Sequence, residues 1–261
     1  GVDAIYIDWR GDDTDFVPYE TKETYTLYSG IETYAGAKVK VYTYNSPDNV
    51  TVFSITNIPM GEFDGSYMKK AFTFTLDGSG LPQDKIVFPE KSVISELNLD
   101  NAAFETIDLS EFPILRSISM SGNNLTSVDL TKAPSLELAS FGNNHISEVK
   151  INNPKLWHLD LTMNELAEIN LNGLPAMNQI GLSHNNLSSI DLEPVKSTLR
   201  VLSITNNKFT FATLPVPADY PGITSYFYGN QADLEGEIVD LKVDYSSQAE
   251  AGGAQTVYRW F

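Results

Sequence analysis

Asp12, Asp13 and Asp15 stand together in the stretch WRGDDTDF, close enough for three carboxylates to share a calcium ion. The stretch lacks the frame and closing glutamate of an EF-hand, so a solvated acidic loop is the preferred reading. These three aspartates are the only metal candidates, and no cofactor is expected. The same stretch carries Arg10-Gly11-Asp12, a tripeptide that some adhesion receptors read, though three residues hold little information. The three histidines, His145, His158 and His184, occupy three different places in the pattern described below, so they do not converge on one metal or one substrate. The absence of cysteine removes disulfides, thiolate catalysis and every cysteine metal site. No phosphate loop, dinucleotide fingerprint, nucleophile elbow or H-E-x-x-H motif occurs. So acidic a chain leaves paired carboxylates for glycoside hydrolysis open, but nothing singles out a pair. No catalytic residue is assigned, and the expectation is a protein that is not an enzyme. Sequons at Asn49, Asn124 and Asn186 complete the chemistry-bearing features.

The elements that would position these groups come from a chain of 261 residues with a net charge of −17, from 34 acids and 17 bases. No segment offers a basic stripe, which excludes nucleic acid and anionic membrane surfaces as natural partners. No apolar run is long enough to span a bilayer, so no direct membrane insertion is expected. The opening GVDAIYIDWRGDD has neither a basic nor an apolar signal region, so any signal or anchor is expected outside this stretch.

A period of about 21 residues dominates the middle of the chain. Units start at Ile94, Leu115, Leu136, Leu156, Met177, Leu199 and Ile223 and follow L-x-x-L-x-L-x-x-N-x-L. Leu115, Ile118, Met120, Asn123 and Leu125 fill one frame; Leu156, Leu159, Leu161, Asn164 and Leu166 fill another. The L-x-L step has period 2 and sends both apolar side chains to one side of a short strand. Apolar residues between strands need an inner side too, so the chain must coil, and stacked coils close a core that one coil cannot. Asn123, Asn144, Asn164, Asn185 and Asn207 are expected to form a structural ladder, each amide bonding backbone groups left unpaired by the turn. Ala102 and Gln231 take the asparagine place in the end units. A second alternating step follows in each unit, as in SVDL and EINL, and Pro113, Pro134, Pro154, Pro175 and Pro194 end these steps and block helix.

This frame resembles the leucine-rich repeat family over about residues 93–231. Short units with no room for a convex helix are similar to bacterial members, the internalins and the surface repeat proteins of Bacteroides-type bacteria. The lack of disulfide caps leans the same way. The expected fold is mainly β: a leucine-rich-repeat solenoid of about seven short repeats with few helices, spanning 89–234. Residues 1–88 alternate Tyr, Phe, Val and Thr with polar residues between turn clusters and predict a small antiparallel, β-sandwich-like N-terminal domain or cap. Residues 235–261 predict a small C-terminal β cap or partial module.

The resemblance implies a surface or secreted bacterial binding protein, extracellular in location, acting in adhesion or recognition of a protein or glycan through the concave strands. The concave columns hold mostly small residues. Larger contact candidates at or beside the strands are Arg116, Trp157, His158, Asp160, Gln179, Arg200 and Phe227. Eight of the 13 tyrosines lie in residues 1–88, so a carbohydrate-binding N-terminal domain is one alternative. A structural spacer or assembly module is the other.

Overall fold

The computed structural model describes residues 50–66 and 68–232 in full and, outside them, the backbone of eight strands. Asp12, Asp13 and Asp15, the Arg10-Gly11-Asp12 tripeptide, the Asn49 sequon and the eight N-terminal tyrosine side chains lie outside the described residues.

Strands are numbered in chain order. The long sheet runs in spatial order through β3 (Thr24–Leu27), β5 (Val52–Thr56), β7 (Thr73–Asp77), β9 (Glu96–Asn98), β10 (Ser117–Ser119), β12 (Leu138–Ser140), β14 (His158–Asp160), β15 (Gln179–Gly181), β16 (Val201–Ser203) and β17 (Ser225–Phe227). Every neighbouring pair in it is parallel. A second sheet has the order β2 (Phe16–Glu20), β1 (Ala4–Asp8), β4 (Val39–Tyr42), β6 (Met60–Asp64) and β8 (Ile86–Val87). On the far side of the later coils, β11 (Ser127–Asp129) pairs in parallel with β13 (Glu148–Lys150). Two short antiparallel pairs end the chain: β18 (Glu237–Val239) with β19 (Lys242–Asp244), and β20 (Glu250–Ala251) with β21 (Ala254–Gln255).

The seven short-repeat strands β9, β10, β12, β14, β15, β16 and β17 fall where the L-x-L steps predict them. In the first six, the central residue and the one just past the strand point inward, whereas in β17 Tyr226 is only partly buried and Tyr228 is 49% exposed. Ile118 and Met120, Leu159 and Leu161, Ile180 and Leu182, and Leu202 and Ile204 are buried. Each such side chain contributes about 1.5–3 kcal/mol by leaving water. Ala139 is also fully buried, and Phe141 on the same coil is fully buried beside it in the stack. On the far side, 3₁₀ turns replace helices, as at Leu109–Glu111 and Leu130–Lys132. Asp108 and Asp129 cap these two turns by accepting from the backbone N–H of Ser110 and Thr131. There is no α-helix among the described residues.

Residues 50–88 depart from the antiparallel arrangement expected of them. They do place two sheets across a core: Phe63 on β6 lies 5.3 Å from both Phe53 on β5 and Phe74 on β7, centroid to centroid. Yet β5 and β7 continue the parallel sheet into β9, and β4, β6 and β8 are parallel to one another. Antiparallel pairing among strands β1 to β8 is confined to β1 with β2 and β4. The core also crosses residue 88 unbroken, because Phe88 packs on Phe74 at 5.9 Å and on Phe112 at 5.7 Å. β5 and β7 thus continue the parallel stack of the later coils, while β6 and β8 form part of a longer second sheet opposite them.

Two columns close each coil. The ladder asparagines are buried and bridge successive coils. Asn144 Nδ2 donates to the carbonyls of Met120 at 2.9 Å and Phe141 at 3.0 Å, while its Oδ1 accepts from Leu125 N–H at 3.0 Å. Asn123, Asn164, Asn185 and Asn207 repeat the arrangement. Gln231 reproduces it in the last unit, accepting from Phe209 N–H and donating to Ile204 and Tyr228 carbonyls. Just before the ladder runs a column of left-handed residues: Asn57, Gly78, Asn101, Gly122, Asn143, Met163, His184, Asn206 and Asn230. Asparagine and glycine tolerate that conformation best. At Gly122, φ is 71° and an added Cβ would run into Asn101 Oδ1, so the Asn101 side chain would have to move to admit one.

Candidate binding face

The parallel sheet turns one side of every strand into the core and leaves the other open. Across that open face run columns of small side chains, including Ser119, Ser140, Gly181 and Ser203 in one and Ser121, Gly142, Ser183 and Thr205 in the next. Their hydroxyls bond along and between the columns: Thr205 Oγ1 donates to Ser183 Oγ at 2.9 Å, and Ser183 and Ser203 hydroxyls lie 2.6 Å apart.

The coil of β14 breaks this smoothness at both margins. Trp157, one residue before the strand, is 37% exposed, and Met163, just past it, is 50% exposed. Between them stand His158, Asp160 and Thr162. The Trp157 and His158 rings meet edge to face at 5.7 Å. His158 Nδ1 lies 3.2 Å from Gln179 Oε1 on the next strand. Asp160 Oδ1 accepts from Thr162 N–H at 2.9 Å. A Cβ on residue 181 would stand 2.6 Å from that oxygen, so Gly181 makes the room in which the carboxylate sits.

Trp157, His158, Asp160 and Gln179 are thus brought together on two neighbouring strands. Arg116, Arg200 and Phe227 are not. Arg116 lies two strands away, and its guanidinium forks onto Glu137 with both bonds at 3.0 Å. Arg200 folds onto its own coil and donates to the carbonyls of Ser197 and Leu199. Phe227 sits on the last strand, 55% exposed, beside a cavity of about 370 Å³ lined by Phe209, Phe211, Leu214 and Tyr228. His145 lies within 3.1 Å of Glu165 and His184 within 3.1 Å of Asn206, each on its own column. Among the described residues there is no group of three or more side chains able to hold a metal.

Met163 is an exposed side chain that the repeat frame conceals. Its signal is positional: it and His184 are the two side chains of the left-handed column that are neither asparagine nor glycine. Asp100 is a second feature of the face. It is half-buried, Ser119 Oγ lies 2.7 and 2.9 Å from its two oxygens, and Ser121 N–H donates to it at 2.6 Å. Burial holds its carboxyl above the usual range, the hydrogen bonds from Ser119 and Ser121 pull it back, and neighbouring Asp77 adds a further upward push.

No family model matches the sequence, and no curated protein matches it. Among solved structures, the chain is similar to the functional domain of InlJ from Listeria monocytogenes, described as including a cysteine ladder. The TM-score is 0.56 at 14% identity, over 81% of this chain and 47% of that one. It is also similar to an internalin, InlF, from the same species, with a TM-score of 0.50 at 17% identity over 71% and 51% of the two chains. The chain spans about half the length of each. Likeness at this level of identity concerns the fold, and with the repeat geometry it makes the chain a leucine-rich-repeat solenoid. Its own ladder is built from asparagine, since it holds no cysteine.

Proposed function

We propose that this protein is a non-enzymatic binding module that captures a protein partner on the open face of its long sheet, centred on the β14 coil. The observation that carries this reading is the pairing of exposed Trp157 and Met163 at the two margins of one coil, with His158 and Asp160 between them. Large apolar side chains are costly to leave in water on a sheet that is otherwise small and polar, and buried aromatic anchors dominate binding energy at interfaces. Met163 also holds a left-handed backbone that a methionine adopts at a cost of about 1–2 kcal/mol, a strain of the kind kept where a side chain is used. The flanking small residues let a partner's backbone approach closely. The solenoid fold, similar to that of internalins, supports a surface or secreted location and a role in adhesion, since stacked strands offer a broad rigid docking surface.

Photo-crosslinking tests this. A photoreactive residue placed at Ser140 on the open face is expected to yield an adduct with one dominant protein from cell-surface or secreted material. The same residue placed at Glu168, on the far side of the coil, yields none. Trp157→Ala abolishes the Ser140 adduct. Adducts from position 168 alone would move the function off this face.

A further inference from the structure

The open face is one-sided in charge. Asp77, Glu96, Asp100 and Asp160 stand on its strands or in the residues just past them. No lysine or arginine stands in any of the strands β5, β7, β9, β10, β12, β14, β15, β16 and β17, or in the two residues that follow each. The two cations at the margin are committed elsewhere, Arg116 to Glu137 and Arg200 to the carbonyls of Ser197 and Leu199. The carboxylates of the face are therefore not neutralised from within the face. Asp160 has one oxygen on Thr162 N–H, and among the described residues no donor bonds the other. Among the described residues, Asp77 accepts only a long bond from Asn101 Nδ2 at 3.3 Å. Asp100 stays on the face although burial works against its charge, a cost a serine or asparagine there would not incur.

We infer that the open face takes an extended, lysine- or arginine-bearing segment of a polypeptide, its cations meeting Asp77, Asp100 and Asp160 and its backbone lying on the small-residue columns beside Trp157. This rests on the reading of the open face as the docking surface. Charge complementarity selects a cation, and Trp157 offers an exposed ring on which a cation can also rest. The serine, threonine and glycine columns leave backbone distance and hydroxyl partners for peptide groups. Asp100 and Asp160 lie on coils three strands apart, about 14 Å at the usual strand spacing, which about four residues of extended chain span.

The test uses the full chain and three capped ten-residue Gly/Ser peptides bearing two lysines, two glutamates or two glutamines four residues apart. Binding is read by backbone amide shifts. The lysine peptide is expected to bind, shifting amides of β9 to β15, and to weaken as salt rises. Asp160→Asn and Asp77→Asn each raise its Kd about 2- to 5-fold, the range of an exposed ion pair. Glu148→Gln and Glu168→Gln, which change net charge equally on the far side, leave Kd unchanged. Equal weakening by the far-side variants would reduce the effect to net charge and overturn the inference, as would equal binding of the glutamine or glutamate peptide. A Ser140 crosslink to a partner segment without basic residues would overturn this inference and leave the docking face standing. No crosslink and no amide shift on this face would remove both.

Discussion

At the scale of single residues, the ladder and the left-handed column govern stability, and the sequence showed one of them well. Asparagine recurred in register, and its role followed from the backbone groups a turn must leave unpaired. Asn164→Ala is expected to cost about 1–3 kcal/mol, measured by denaturant unfolding, since it strands Phe141 and Leu161 carbonyls and Ile146 N–H inside the stack. The left-handed column was harder to read, because asparagine, glycine, methionine and histidine share no chemistry, only a backbone angle. It carries the opposite prediction: Met163→Asn should stabilise the fold by about 0.5–1 kcal/mol while weakening partner capture. Asp100 gives a pH-dependent case. Its folded carboxyl ionises less readily than in the unfolded chain, so the charged form opposes folding above the unfolded value. That opposition is lost as pH falls through the raised folded value. Asp100→Asn should therefore raise Tm at neutral pH, and the gain should vanish once the wild-type carboxyl is protonated. An equal gain at all pH values would trace the effect to packing instead.

At the scale of elements, period-2 alternation identified strands but not their partners. Residues 50–88 read as an antiparallel unit because alternation, tyrosine and turn clusters look alike in hairpins and in parallel coils. The distinguishing signal was spacing: Phe53, Phe74 and Leu97 are in register across β5, β7 and β9, steps of 74 − 53 = 21 and 97 − 74 = 23 residues. Phenylalanine stands where the later units have leucine, so the repeat was hidden by a change of residue type. The consequence is testable by truncation. Residues 89–261 expressed alone would expose the edge of β9 and the Phe104 and Phe112 surface that Phe88 covers, and should aggregate or unfold. A soluble, cooperatively folded fragment would show that the boundary at residue 88 is a domain boundary after all. Phe63→Ala, at the centre of the aromatic cluster, should cost about 3–5 kcal/mol in the intact chain.

At the scale of the whole molecule, the core is continuous but each coil touches mainly its neighbours, so position along the stack decides what a defect does. This also explains why the fold was legible and the binding face was not. A repeat announces what must be the same in every coil, whereas Trp157, Met163 and the uncompensated carboxylates matter by where they differ and by which cations are held elsewhere. Arg116 and Arg200 looked like anchors in sequence, and only geometry shows them tied to Glu137 and to their own backbone. The neighbour-only coupling can be checked with two equivalent truncations. Phe141 is fully buried in a central coil, and Phe209 is 2% exposed in one near the C-terminal end. Phe141→Ala leaves a void that coils on both sides must share, so it should lower the protection of amides from β9 to β16 together by about 3–5 kcal/mol in hydrogen exchange. Phe209→Ala should release chiefly β17 and the adjoining turn, leaving exchange in β9 to β14 near its original rate. Uniform loss in both variants would mean that the solenoid unfolds as one unit. Frayed ends with a protected centre would place the β14 face on the part of the molecule best able to stay rigid while a partner docks.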